Sequence, residues 1–88
     1  MPTLTIVAFV LANVEKAINT ITSVKGFYLP ANVAKLAYDT LDKVNVHIVD
    51  ISRLKYDINY IPGVIDANVA LLNEAKYRLE QAVKQYAS

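Results

Sequence analysis

PANVAKLAYDTLDKVNVHIVDISRLKYDI, running from Pro30 to Ile58, is the stretch that decides the fold of this chain. Val33, Ala37, Leu41, Val44, Ile48, Ile51, Leu54 and Ile58 recur at steps of three and four. On a 3.6-residue wheel they form one apolar stripe. Lys35, Asp39, Asp42, Lys43, Asp50, Arg53 and Asp57 fall on the far side. There Lys35–Asp39, Asp39–Lys43 and Arg53–Asp57 are spaced i,i+4 with opposite charge, each adding roughly 0.2–0.5 kcal/mol to a helix in water. The spacing predicts one long central helix over about 30–58. A strand is the rival for residues 44–52, because Val44 to Ile51 is rich in β-branched residues and partly alternates. The three-four stripe nevertheless crosses that segment without a phase break, and neither Gly nor Pro interrupts it.

The same helix carries a second apolar line. Tyr38, Val49 and Tyr56 lie opposite the core stripe, with Val46 close beside them. Isolated apolar side chains are ordinary on any protein surface. A line of them along one helix points instead to a second packing partner, either another subunit or another protein.

Working outward, residues 4–24 form a first candidate helix. Ile6, Val7, Val10, Leu11, Val14, Ala17, Ile18 and Ile21 make its apolar face, while Ala8, Phe9 and Ala12 cover the opposite side of its first half. A helix apolar all round is usually buried all round. Met1 to Thr5 is strand-like in composition, so a late or frayed start is expected. Gly26 is placed to be the left-handed C′ residue, with Phe27 folding back on Ile21. Phe27, Tyr28 and Leu29 put three large apolar side chains into a five-residue link, where they plug the bundle end or meet a neighbour. Pro30 suits the first turn of the following helix.

The second link is Asn59-Tyr60-Ile61-Pro62-Gly63, and the residue before a proline is biased away from helix. A third helix is expected from Pro62, or from Asp66 as cap, to about Tyr86. Ile65, Val69, Leu72, Leu79, Val83 and Tyr86 form its stripe, and Asn68 interrupts it as a register-setting polar group. Glu74–Arg78, Lys76–Glu80 and Glu80–Lys84 are its i,i+4 pairs. Short links force successive helices antiparallel. The expectation is therefore all-α: a three-helix up-down-up bundle, or an open helical sheaf, forming a single helical domain over 1–88.

Composition narrows the function classes. Apolar residues make up 55% of the 88 and charged ones only 19%, which disfavours disorder and hints at surface buried between chains. Nine basic and eight acidic residues are interleaved, giving net charge +1 and no electrostatic footprint for nucleic acid or an anionic membrane. There is no Cys, which removes disulfides, thiolate chemistry and Cys-based zinc sites. The longest unbroken apolar run, Ile6 to Ala12, falls short of a bilayer span, so no transmembrane segment is expected. Nor is a secretion signal, since no basic region precedes that run. A cytoplasmic or particle-associated protein is the expectation.

Chemistry is sparse. His47 is the only histidine, with Asp50 three residues on, and a structural pairing of the two is the expectation. Asp39 and Asp42 lie on a charged surface without the partners a metal needs. Two glycines in all leave no phosphate-cradling loop. No catalytic, cofactor-binding or metal site is expected, and the chain reads as no enzyme. In type, though without a shared motif, it resembles helical virus coats and filament subunits, and also bacterial immunity bundles and small adaptors. The first expectation is a self-assembling structural subunit. The alternative is a small adaptor, regulatory or immunity-type module that binds another protein. Either would use Phe9, Phe27, Tyr28, Leu29, Tyr38, Val46, Val49, Tyr56 and Tyr60, because tyrosine and phenylalanine suit surfaces buried against a partner.

Overall fold

In the computed structural model, which describes residues 2–86, the chain forms three helices. They are α1 (Pro2–Thr22), α2 (Ala31–Ser52) and α3 (Pro62–Lys84), with a 3₁₀ turn at Arg53–Tyr56. Met1, part of the strand-like start, lies outside the described residues. No strand occurs among the described residues, and residues 44–52 are helical throughout. Each helix packs on both others. The Cα envelope measures 50 × 18 × 15 Å, and its narrow dimensions suit helix axes roughly 8–10 Å apart.

The core is a seam at alternating steps of three and four. Val7, Val10, Val14, Ala17 and Ile21 come from α1; Val33, Ala37, Thr40, Val44 and Ile51 from α2; Ile65, Leu72, Ala75, Leu79 and Ala82 from α3. This is the narrow spacing of coiled-coil-like packing. On α2 it differs from the expected stripe. Leu41 and Ile48 are half-buried at the core edge, and the fully covered line passes through Thr40 instead. The reason is that α2 touches two helices, so its deepest line is the one both neighbours share. Thr40 tolerates that position because its hydroxyl donates to the Leu36 carbonyl at 2.7 Å, leaving no unmet polar group.

The helix ends depart from the sequence reading. α1 stops at Thr22, before Gly26, which takes a left-handed φ of 110° inside the link rather than at a C′ position. The backbone N–H and hydroxyl of Ser23 and the hydroxyl of Thr22 all donate to the Asn19 carbonyl. Phe27 does not fold back on Ile21; it is 82% exposed. Tyr86 closes this end instead, its hydroxyl donating to the Ile21 carbonyl at 2.6 Å and to that of Val24 at 3.2 Å. Carbonyls at a helix C-terminus lack partners within the helix, and a phenol just past the end of α3 supplies one.

α2 is shorter than the 30–58 expected. At 22 residues it is level with α1 at 21 and α3 at 23. After the 3₁₀ turn Asp57 is extended, and its carboxylate accepts the Asn59 N–H at 2.9 Å, a local turn that competes with helix. That turn also removes the expected Arg53–Asp57 pair, and it leaves Ile58 98% exposed rather than in the core. α3 starts at Pro62 after an extended Ile61, so Asp66 is not its cap. Asn68 donates to the Val64 carbonyl of its own helix at 2.8 Å and reaches no partner helix.

Candidate interaction surfaces

The nine residues singled out from sequence do not form one surface. On α2, whose inner line is held by the core, Tyr38, Val46 and Val49 are all exposed, and Tyr56 stands out from the 3₁₀ turn. Val46 and Val49 line a shallow depression of about 300 Å³ with Asn45 and Asp50. Tyr38 instead joins Tyr28 and Leu29 in a hollow of about 440 Å³ at the end of the bundle. Ala34, Val83, Lys84 and Tyr86 complete that hollow. Phe9 lies elsewhere, on the wall of a cleft between α1 and α2. Leu29 and Tyr60 are half-buried and pack on the core, while Phe27 is open to solvent.

Two features of this surface escape a one-dimensional reading. The second link exposes Ile58 and Ile61 beside Tyr56, so its apolar character is larger than its tyrosines suggest. The signal was present, since aliphatic residues in a turn-rich segment have no helix face to occupy. The Tyr28–Tyr38 hollow draws Val83 and Lys84 from the far end of the chain, and no periodicity links those residues to Tyr38.

Electrostatics bind the helices lightly. Arg78 on α3 donates through its two terminal guanidinium nitrogens, Nη1 and Nη2, to the Glu15 carboxylate on α1, the second contact at 3.3 Å. Those hydrogen bonds hold the Glu15 carboxyl below the usual glutamate value and raise Arg78 above its own. Arg78 thus pairs across helices rather than with Glu74. Lys55 lies 3.6 Å from Asp66. Of the pairs expected within helices, Lys35–Asp39 forms, at 2.8 Å, and the bond raises the lysine pKa. His47 is half-buried and makes no bond to Asp50; it faces the α1–α2 cleft instead. Among the described residues no group of three or more His, Asp or Glu side chains could hold a metal ion.

α1 adds a compositional feature. Leu4–Thr22 is long and apolar enough to cross a membrane by those criteria alone, with 19 residues at mean hydropathy 1.5. Asn13, Glu15 and Lys16 keep its unbroken apolar run short of the expected bilayer length, although the hydropathy averaged across them stays high. In the fold this helix supplies five core residues and the Glu15 pair. The chain matches no protein-family model, no curated protein and no solved structure.

Proposed function

We propose that the chain is a self-assembling helical structural subunit, non-enzymatic, whose main partner is another copy of itself. One observation carries this reading: Tyr38, Val46, Val49 and Tyr56 stand at least half exposed along α2 and its 3₁₀ extension, away from the core. Apolar side chains aligned on a free helix face lose contact with water when a second helix covers them, which favours association. A net charge of +1 lets many copies pack without accumulating repulsion.

In this reading the helices run up, down and up. Support comes from Tyr86 meeting Ile21, which brings the ends of α1 and α3 together, and from Lys55 meeting Asp66 across the second link. α1 acts as a core helix within the cytoplasm or a particle, since its inner stripe is shared with α2 and α3. Size-exclusion chromatography with light scattering at micromolar concentration tests the proposal. Species well above 9.8 kDa are expected, and a clean monomer of that mass overturns it. A monomer that also captures one defined protein would move the chain to the adaptor class, for which the 440 Å³ aromatic hollow would hold a partner side chain.

A further inference from the structure

We propose that the cleft between α1 and α2 is a binding site for a small amphiphilic carboxylate, of which a medium-chain fatty acid is the simplest example. This surface is separate from the Tyr38–Tyr56 flank and does not depend on assembly. The cleft holds about 220 Å³, below the roughly 300–1,000 Å³ of sites for drug-sized ligands. That size selects a single short chain or small ring over a nucleotide or a two-chain lipid.

The walls divide by chemistry. Ile6, Phe9 and Val10 give the α1 side an apolar surface. Val10 is closed to solvent while Phe9 is 66% exposed, so the Phe9 ring stands at the mouth and would be covered by an apolar body laid against it. Facing it, Lys43 and His47 lie one helical turn apart on the edge of α2. Asn13 adds a side-chain amide from α1.

The polar groups are uncommitted. Asn13, Lys43 and His47 have no side-chain hydrogen bond or ion pair among the described residues. Asp39, the acid one turn before Lys43, is held by Lys35. Among the described residues no carboxylate lines the cleft, although Thr40, also in the lining, can accept through its hydroxyl oxygen. The site therefore offers an ammonium, an imidazole that has at least one N–H in either protonation state, and an amide, all beside an apolar wall. A carboxylate head with an apolar tail satisfies both halves together. A free inorganic anion would leave Phe9 uncovered, and a neutral alcohol would leave Lys43 without a counter-charge.

The test is titration of the intact chain, followed by amide NMR and calorimetry, with octanoate, octanol, octylammonium and inorganic phosphate as probes below micelle-forming concentrations. Octanoate is expected to bind saturably, with the largest shifts at Ile6, Phe9, Val10, Asn13, Lys43 and His47. Octanol should bind roughly tenfold or more weakly, since it lacks the charge-assisted bonds. Phosphate and octylammonium should produce no saturable shifts there. The Lys43→Gln/His47→Gln variant, altered at the cleft edge and checked for an unchanged thermal melt, should lose about tenfold in octanoate affinity and keep its weak octanol binding. Non-saturable octanoate shifts, shifts centred on the Tyr28–Tyr38 hollow, octanol matching octanoate, phosphate displacing octanoate, or a double variant that binds octanoate as before would each overturn the proposal. Should the variant's melt change, Asn13→Ala and Phe9→Ala, on the other wall, take its place with the same expected loss for octanoate.

Discussion

Val44 and Val49 are the same residue on the same helix, yet Val44 is fully buried and Val49 is 50% exposed. They sit roughly 140° apart at 3.6 residues per turn. Hydropathy cannot tell them apart; their angle on the helix does, and α1 and α3 cover only one of the two angles. The contrast shows that α2 carries two apolar lines of different standing. One is satisfied inside the chain, and the other is left open on its outside.

Substitution at each line should break the comparison in opposite ways. Val44→Asp has the largest expected effect, because a carboxylate would enter the core with no partner. Circular dichroism should show loss of the cooperative melt; a folded, native-like variant would mean that the inner line is not the core. Val49→Asp comes next, and its effect should fall on assembly. The isolated fold should change by no more than about ±0.5 kcal/mol, as for most surface positions. Each assembled copy would bury an unpaired charge at a cost of several kcal/mol. Sedimentation should move to smaller species while the melt stays put. If assembly is untouched, the outer line of α2 is not the contact.

Smaller effects sharpen how the inner line is held at its end. Tyr86→Phe removes the hydroxyl that donates to the Ile21 and Val24 carbonyls, and should cost about 0.5–1.5 kcal/mol in urea unfolding. No change would mean that water replaces the phenol without loss. The smallest effect belongs to Arg78→Met. Arg78 holds the Glu15 carboxyl below its ordinary value, so the unfolded chain takes up that proton more readily than the folded one. The stabilisation is therefore present above the ordinary glutamate value and lost as pH falls through the lowered one. Because the pair is half exposed, the effect is small. Urea midpoints at neutral and acid pH should differ less for the variant than for the parent chain, and equal differences would show that the pair contributes nothing.

The candidate surface was only partly legible before the fold. Tyr38, Val46, Val49 and Tyr56 were readable because angular position on one helix follows from spacing alone. Leu29 and Tyr60 were not, because a link has no periodicity and its side chains turn toward whatever lies nearest. Phe27 and Tyr86 make the same point from opposite ends of the chain. A local capping rule assigned Phe27 to Ile21, whereas Phe27 is exposed and a phenol far along the sequence bonds the Ile21 carbonyl.

By itself the sequence determined that the chain is helical, where α1 and α3 lie to within a few residues and where α2 begins, and that α2 carries apolar residues on two sides. These properties follow from local spacing, which the backbone period reads directly. Tertiary structure alone decided that the deepest line of α2 runs through Thr40 rather than Leu41. It also decided that Arg78 pairs with Glu15, and that Lys43 and His47 face Phe9 across a cleft. Each of these depends on which residues of different helices come within bonding distance, and that is set by the packing of all three helices together.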